Sequence, residues 1–161
     1  MAHARALLLG DPRGQTAYLE ADLRDPEAIL RHRSLRDTLD LRQPVGLLLV
    51  AVLHFVHDDG EAAAAVRHLL DALPSGSYLV LSHGTMDFSS PEGVAAYEKM
   101  FADGCTDVRA RSKEQLDDYF AGLRIVEPGI VAVSDWRAED APADRPVSDD
   151  LGIYGAVGLV P

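Results

Sequence analysis

The chain has 161 residues, enough for one domain with its own core. It is 47% hydrophobic and 25% charged, the balance of a globular protein, and its formal net charge is −11. Negative potential repels phosphate backbones and anionic bilayers, so nucleic acid and membrane surfaces are set aside as partners. The single cysteine, Cys105, cannot form an internal disulfide and reads as a half-buried small side chain, which makes a reducing cytoplasm the simplest location. No apolar run approaches the roughly 20 residues of a membrane span, and Met1–Arg5 lacks a secretion-signal core.

Ala2 to Leu9 has the composition of a helix end, stopped by Gly10, Asp11 and Pro12. Thr16 to Ala21 alternates as a strand does. After the turn at Asp22–Pro26, Asp25 is placed to cap a helix with Pro26 at its first position; Ile29 and Leu30 point inward, and a second short piece carries Leu35, Leu39 and Leu41. Val45 to Phe55 is almost wholly apolar, which predicts a strand buried on both faces of a parallel sheet. The acidic run 58–61 opens a helix with Val66, Leu69, Leu70 and Leu73 on one face. Ser77 to His83 is the next strand and Pro91 to Ala102 the next helix, with Val94, Tyr97 and Phe101 inward.

Thr106 to Ala110 is extended. Ser112 and Gln115 form a capping-box pattern before a helix bearing Leu116, Tyr119 and Phe120 and ending at Gly122. Leu123–Val126 and Ile130–Val133 are strand-like, 135–150 is an acidic proline-containing loop, and Leu151–Val160 is a last strand. Alternating strands and helices predict an α/β fold over residues 1–161, one domain with a mostly parallel sheet and an antiparallel edge pair.

In such sheets ligands sit beyond the carboxyl ends of the strands. Three ends carry polar groups: Asp22, His54, and Ser82 with His83. Taken alone, Asp22 suits a turn, and Ala51, Val52 and Leu53 suit a core. His54 fits either a pocket base or orienting group, or a histidine bonded to a nearby carbonyl. His54 and His57 form an H-x-x-H pair without further ligands, so no metal is expected. Ser82 and His83 are adjacent on one strand and face opposite ways, which argues against a hydrolase pair; no G-x-S-x-G elbow is present. Trp136 reads as a pocket lid or a cover over the sheet edge.

The segments YLEADLRDPEAIL, PVGLLLVAVLHFVHDD and LDALPSGSYLVLSH, with the closing YGAVG, resemble an S-adenosylmethionine-dependent methyltransferase family of high-GC bacteria. The resemblance implies a Rossmann-like class I sheet of order 3-2-1-4-5-7-6, with AHARALL continuing from an upstream strand. It implies S-adenosylmethionine as cofactor. Asp22 then matches the acid that binds the adenine amino group and Leu23 the residue whose amide faces the ring. Ala51 and Val52 match the segment under the sulfonium end, and His54 or His83 would accept a proton from the methyl acceptor.

The same resemblance implies a glycine-rich D-x-G-x-G loop upstream, which the 161 residues do not contain. The chain therefore reads as a truncated, carboxyl-terminal portion, Met1 standing where the pattern has an ordinary helix residue. Two expectations follow. The first is an enzyme family acting on a small-molecule acceptor, with this portion inactive alone. The second is a non-catalytic remnant serving as a binding or oligomerisation module, self-pairing through the edge of the apolar strand. A hydrolase or metal protein ranks behind both.

Overall fold

The structure, a computed structural model, describes residues 14–138 and 152–161. The expected helix at Ala2–Leu9 and most of the expected acidic loop lie outside them. Helix α1 (Pro26–Arg31) starts where the Asp25 carboxylate accepts the Ala28 amide and Pro26 supplies a preset φ. Helix α2 (Arg33–Thr38) follows, capped by the His32 ring, and Leu41 falls in the turn beyond it. Strand β1 (Gly46–Val50) leads into a single 3-10 turn, Leu53–Phe55. Helix α3 (Asp59–Asp71) is capped by Asp58, whose carboxylate accepts the Glu61 amide at 2.7 Å.

Strand β2 (Tyr78–Gly84), helix α4 (Pro91–Ala102) and helix α5 (Lys113–Asp117) come next, α5 opened by the Ser112–Gln115 capping box. Strands β3 (Arg124–Ile125), β4 (Val131–Ala132) and β5 (Ile153–Leu159) finish the chain.

The sheet order is β1-β2-β5-β3, with β4 also on β5. β1 and β2 run parallel, Gly46 opposite Tyr78 and Val50 opposite Ser82. β5 runs antiparallel to β2 and to both β3 and β4, which are two halves of one interrupted edge strand. The α/β class and the antiparallel edge match the sequence reading. The parallel part is smaller than expected, a single pair among the described strands, because Thr16–Ala21 forms no strand. Alternation alone does not make one; a strand exists through its ladder, and the described sheet is built from β1 to β5 without this stretch.

One face of the sheet is dry. Leu49, Leu79, Leu81, Tyr154 and Ala156 meet Ala62, Val66, Leu116, Tyr119 and Phe120 in one core. Each fully buried leucine stabilises by about 1.5–3 kcal/mol. Gly158 belongs to this packing: a Cβ there would stand 2.8 Å from Phe120 Cδ1 and 2.9 Å from Leu123 Cδ1.

The other face corrects the expectation of two-sided burial for residues 45–55. Leu48 is 63% exposed and Val50 57% exposed, and the strand ends at Val50. Continuous apolarity signals two apolar faces; it does not supply the element that covers the second. β1 is the terminal strand of the described sheet, with pairing on one side only.

Candidate functional site

The first strand-end feature is a cleft of about 590 Å³ lined by Glu20–Arg24 and by Val52, Phe55 and Val56. Two local structures build it. The Asp22 carbonyl accepts the Asp25 amide at 3.0 Å, closing the turn that precedes α1. The chain also reverses after β1, where Ala51 takes φ 51° and its amide donates to the Ser82 carbonyl at 3.2 Å and to Ser82 Oγ at 3.1 Å. A non-glycine residue in the left-handed region stores strain, and such residues concentrate at functional sites.

The cleft is amphipathic. Leu23, Val52, Phe55 and Val56 give it an apolar wall, and Asp22 gives it a carboxylate. Asp22 is held by Arg24, whose Nε lies 2.9 Å from Oδ1 and whose backbone amide lies 2.9 Å from the same oxygen. Those bonds pull its pKa down to about 2, so it stays an anion and a hydrogen-bond acceptor. Glu20 adds a second carboxylate and Arg24 a cation to the same lining, so the cleft pairs an apolar wall with a charged one.

The structure thus brings Asp22, Leu23 and Val52 together. Ala51 sits at the strand end beside the cleft without lining it.

His54 and His83 form a second cluster at the ends of β1 and β2. Their rings meet edge to face, centroids 5.5 Å apart. His83 is fully buried, with Nδ1 2.8 Å from the Gly84 carbonyl and Nε2 3.0 Å from Arg111 Nη1. Burial, with Arg111 adding to it and the Gly84 carbonyl opposing, lowers its pKa to about 4. His54 is partly buried; burial first and Arg111 second hold its pKa below the ordinary histidine value.

Arg111 is the hub. Its side chain is 1% exposed. Nε donates to Asp59 Oδ1 at 2.9 Å, Nη1 to the Leu53 carbonyl at 3.1 Å, and Nη2 to the Val56 carbonyl at 2.7 Å, so the guanidinium brackets the turn that carries His54. Its carbon lies 5.9 Å from the Tyr119 ring centroid. The sequence reading missed Arg111 and Asp59: 52 positions separate them, and nothing local marks one arginine among several as buried.

Further along the same rim, Asp87 Oδ2 accepts the Lys113 amide at 2.9 Å and the Tyr154 hydroxyl at 3.1 Å. Burial, then Asp87, push the Tyr154 pKa up to about 12. Tyr97 ties α4 to the extended segment through the Val108 carbonyl (2.7 Å) and the Ala110 amide (2.6 Å).

His57 turns away from His54: its Nε2 bonds the Asp107 carbonyl at 2.8 Å, and its ring packs on Phe101. Among the described residues no three His, Cys, Asp or Glu side chains converge as metal ligands. Ser82 faces the open side of the sheet, in a cleft of about 260 Å³ with Val50, Val80, Val133 and Trp136, while His83 faces the core. Trp136 therefore lies against that open face. Among the described residues no helix is long and apolar enough to cross a membrane.

The parallel pair β1-β2, continued by antiparallel β5 and its β3/β4 edge, matches one side of a class I methyltransferase-like sheet. The S-adenosyl methyltransferase family profile matches residues 1–161, and the chain belongs to that family.

Among solved structures it resembles a DUF574 family protein from Streptomyces avermitilis MA-4680, at 44% identity and TM-score 0.87, covering 98% of this chain and 60% of that one. It also resembles a candidate methyltransferase from Thermobifida fusca YX, at 31% identity and TM-score 0.77, covering 98% and 58%. A S-adenosylmethionine-dependent methyltransferase from Methanosarcina mazei, at 10% identity and TM-score 0.52, covers 76% of this chain and 62% of that one and supports the fold alone. The chain spans about 60% of the length of the first two. No curated protein matches.

Proposed function

We propose that this chain is the acceptor-side portion of a S-adenosylmethionine-dependent methyltransferase acting on a small molecule. The observation that carries the reading is the convergence of Asp22 and Leu23 with Val52, Phe55 and Val56 around one cleft, from segments about 30 positions apart in sequence. Bound there, the cofactor supplies an electrophilic methyl group. Asp22 accepts a hydrogen bond from the adenine amino group, and Leu23 and Val52 exclude water from the ring. In this reading His54, carried by the same turn as Val52, Phe55 and Val56, helps to align the acceptor, and alignment is most of what methyl transfer asks of a protein.

The 161-residue chain by itself binds the cofactor weakly. The cleft has one wall, and the sequence has no D-x-G-x-G loop whose amides would hold the charged end of the ligand. Isothermal calorimetry with S-adenosylhomocysteine tests this. No heat is expected at micromolar concentrations, and a micromolar dissociation constant overturns the one-walled account.

A second reading is favoured by one observation. The outer edge of β1 has no partner among the described residues, and Leu48 and Val50 are exposed beside it. In this reading the chain is a module that associates with a second copy of itself through that edge.

A further inference from the structure

The two clustered histidines do not share one protonation pattern. His83 has both ring nitrogens committed. The Gly84 carbonyl can only accept, so Nδ1 donates to it; the Arg111 guanidinium can only donate, so Nε2 accepts from it. His83 is therefore the neutral Nδ1–H form, and its basic nitrogen is capped by a cation.

His54 is the converse. Its Nδ1 is buried and has no hydrogen-bond partner among the described residues. Beneath it lies Gly84, where a Cβ would come within 3.9 Å of that nitrogen, and Val108 closes the same space. A proton on Nδ1 would be a buried donor with nothing to receive it. A bare lone pair there is also unsatisfied, but orphaned buried N–H groups are the rarer case, so the lone pair is the smaller penalty. The proton of neutral His54 belongs on Nε2, the other nitrogen of a ring that is only partly buried.

We infer that His54 meets the methyl acceptor as a hydrogen-bond donor through Nε2–H, not as its base, and that Arg111 is the positioning residue that fixes this by clamping the Leu53–Phe55 turn and orienting His83 behind it. The inference rests on the proposed methyltransferase reading for the acceptor, though not for the ring states themselves.

The groups facing His54 support it. Arg111 and His83 approach from the extended segment and β2, Arg109 donates its amide to the His54 carbonyl at 2.8 Å, and Phe55 packs on the ring. Tyr119 lies on the far side of Arg111, and Asp59, half exposed, spends its charge on the Arg111 Nε. Among the described residues no carboxylate bonds His54 to favour a second proton. The acceptor class follows: a small molecule with a carbonyl or carboxylate oxygen beside the atom methylated, to receive Nε2–H, and whose own proton departs to water.

Histidine ring nitrogen NMR on the 161-residue chain tests this without cofactor, with His54→Gln and His83→Gln used for assignment. At pH 7 the expected spectrum shows His54 as Nε2–H and His83 as Nδ1–H. Arg111→Met is expected to bring His83 into tautomer exchange and to move the His54 midpoint up toward the ordinary value. Arg111→Lys, which keeps the charge and loses the fork, is expected to release the His83 tautomer alone, and it carries the comparison if Arg111→Met does not fold.

His54 seen as Nδ1–H, as a mixture, or as imidazolium at pH 7 overturns the donor role. Unchanged ring states in the lysine variant overturn the role of Arg111. Failure of millimolar S-adenosylhomocysteine to perturb the Asp22 cleft leaves all these signals in place, so it bears on the proposed function and not on this inference.

Discussion

Acidification should unfold this protein through His83 before its carboxylates matter. The ring is fully buried and neutral, and protonating it would set an imidazolium against the Arg111 guanidinium at 3.0 Å. Its pKa is about 4 in the folded chain against 6.5 for an ordinary histidine. As pH falls below 6.5 the unfolded chain takes up the proton and the folded chain does not. Stability present above pH 6.5 is therefore lost progressively until about pH 4, then levels off. At about 1.4 kcal/mol per pH unit the loss reaches roughly 3 kcal/mol.

The exposed carboxylates with lowered pKa values, Asp22, Glu27, Asp40, Glu92 and Glu114, contribute in the same direction but only below their ordinary range, near pH 4.5 and under. The window between 6.5 and 4.5 belongs to the buried histidines. Urea unfolding at half-unit steps from pH 7.5 to 4.5, for the native chain and His83→Gln, isolates the His83 share, because His54 and the carboxylates are common to both. The native chain should lose roughly 2.5 kcal/mol more than the variant across that range. Parallel stability curves would refute the claim that His83 is buried, neutral and capped by Arg111.

Three further outcomes are expected. Gly158→Ala should destabilise by about 1–3 kcal/mol, since the new methyl group enters the space of Phe120 and Leu123; an unchanged urea midpoint would mean that this packing is looser than the distances imply. Ala51→Gly should be neutral or stabilising by up to about 1 kcal/mol, because it relieves a left-handed φ, whereas the same exchange at Ala65 inside α3 should cost about 1 kcal/mol; equal losses at the two sites would contradict the strained turn. Replacing Leu48 and Val50 together by lysine should shift the mass seen by light scattering toward monomer, and a native chain that is already monomeric at high concentration would remove the self-pairing reading.

The sequence was most legible where the signals are local. Asp25 with Pro26, Asp58 before α3, and Ser112 with Gln115 each mark a helix start through one side chain and one amide, and each cap is in place. Apolar spacing found α3, and the span of α4 was found to the residue. Thr16–Ala21 failed because strand identity depends on a partner, which alternation does not encode. Val45–Phe55 failed in its second half because the chain turns into a 3-10 segment after Ala51, where nothing but a positive φ at an alanine signals the reversal. At the site, the resemblance singled out Asp22, Leu23 and Val52, and the fold places them around one cleft. Arg111 was out of reach, since its role comes from four partners contributed by β2, the turn after β1 and the start of α3.

The central claim is that the cleft between the Asp22 turn and the Val52–Val56 turn is one wall of a S-adenosylmethionine site. Titrating S-adenosylhomocysteine to millimolar concentration into the isotope-labelled chain, and following backbone amides, tests it most directly. Shifts in fast exchange at 20–24 and 52–56, reproduced by adenosine alone and weakened in Asp22→Ala, are the predicted result. Shifts centred on Val80, Trp136 and Val157, or none near Asp22 while another surface responds, would contradict it.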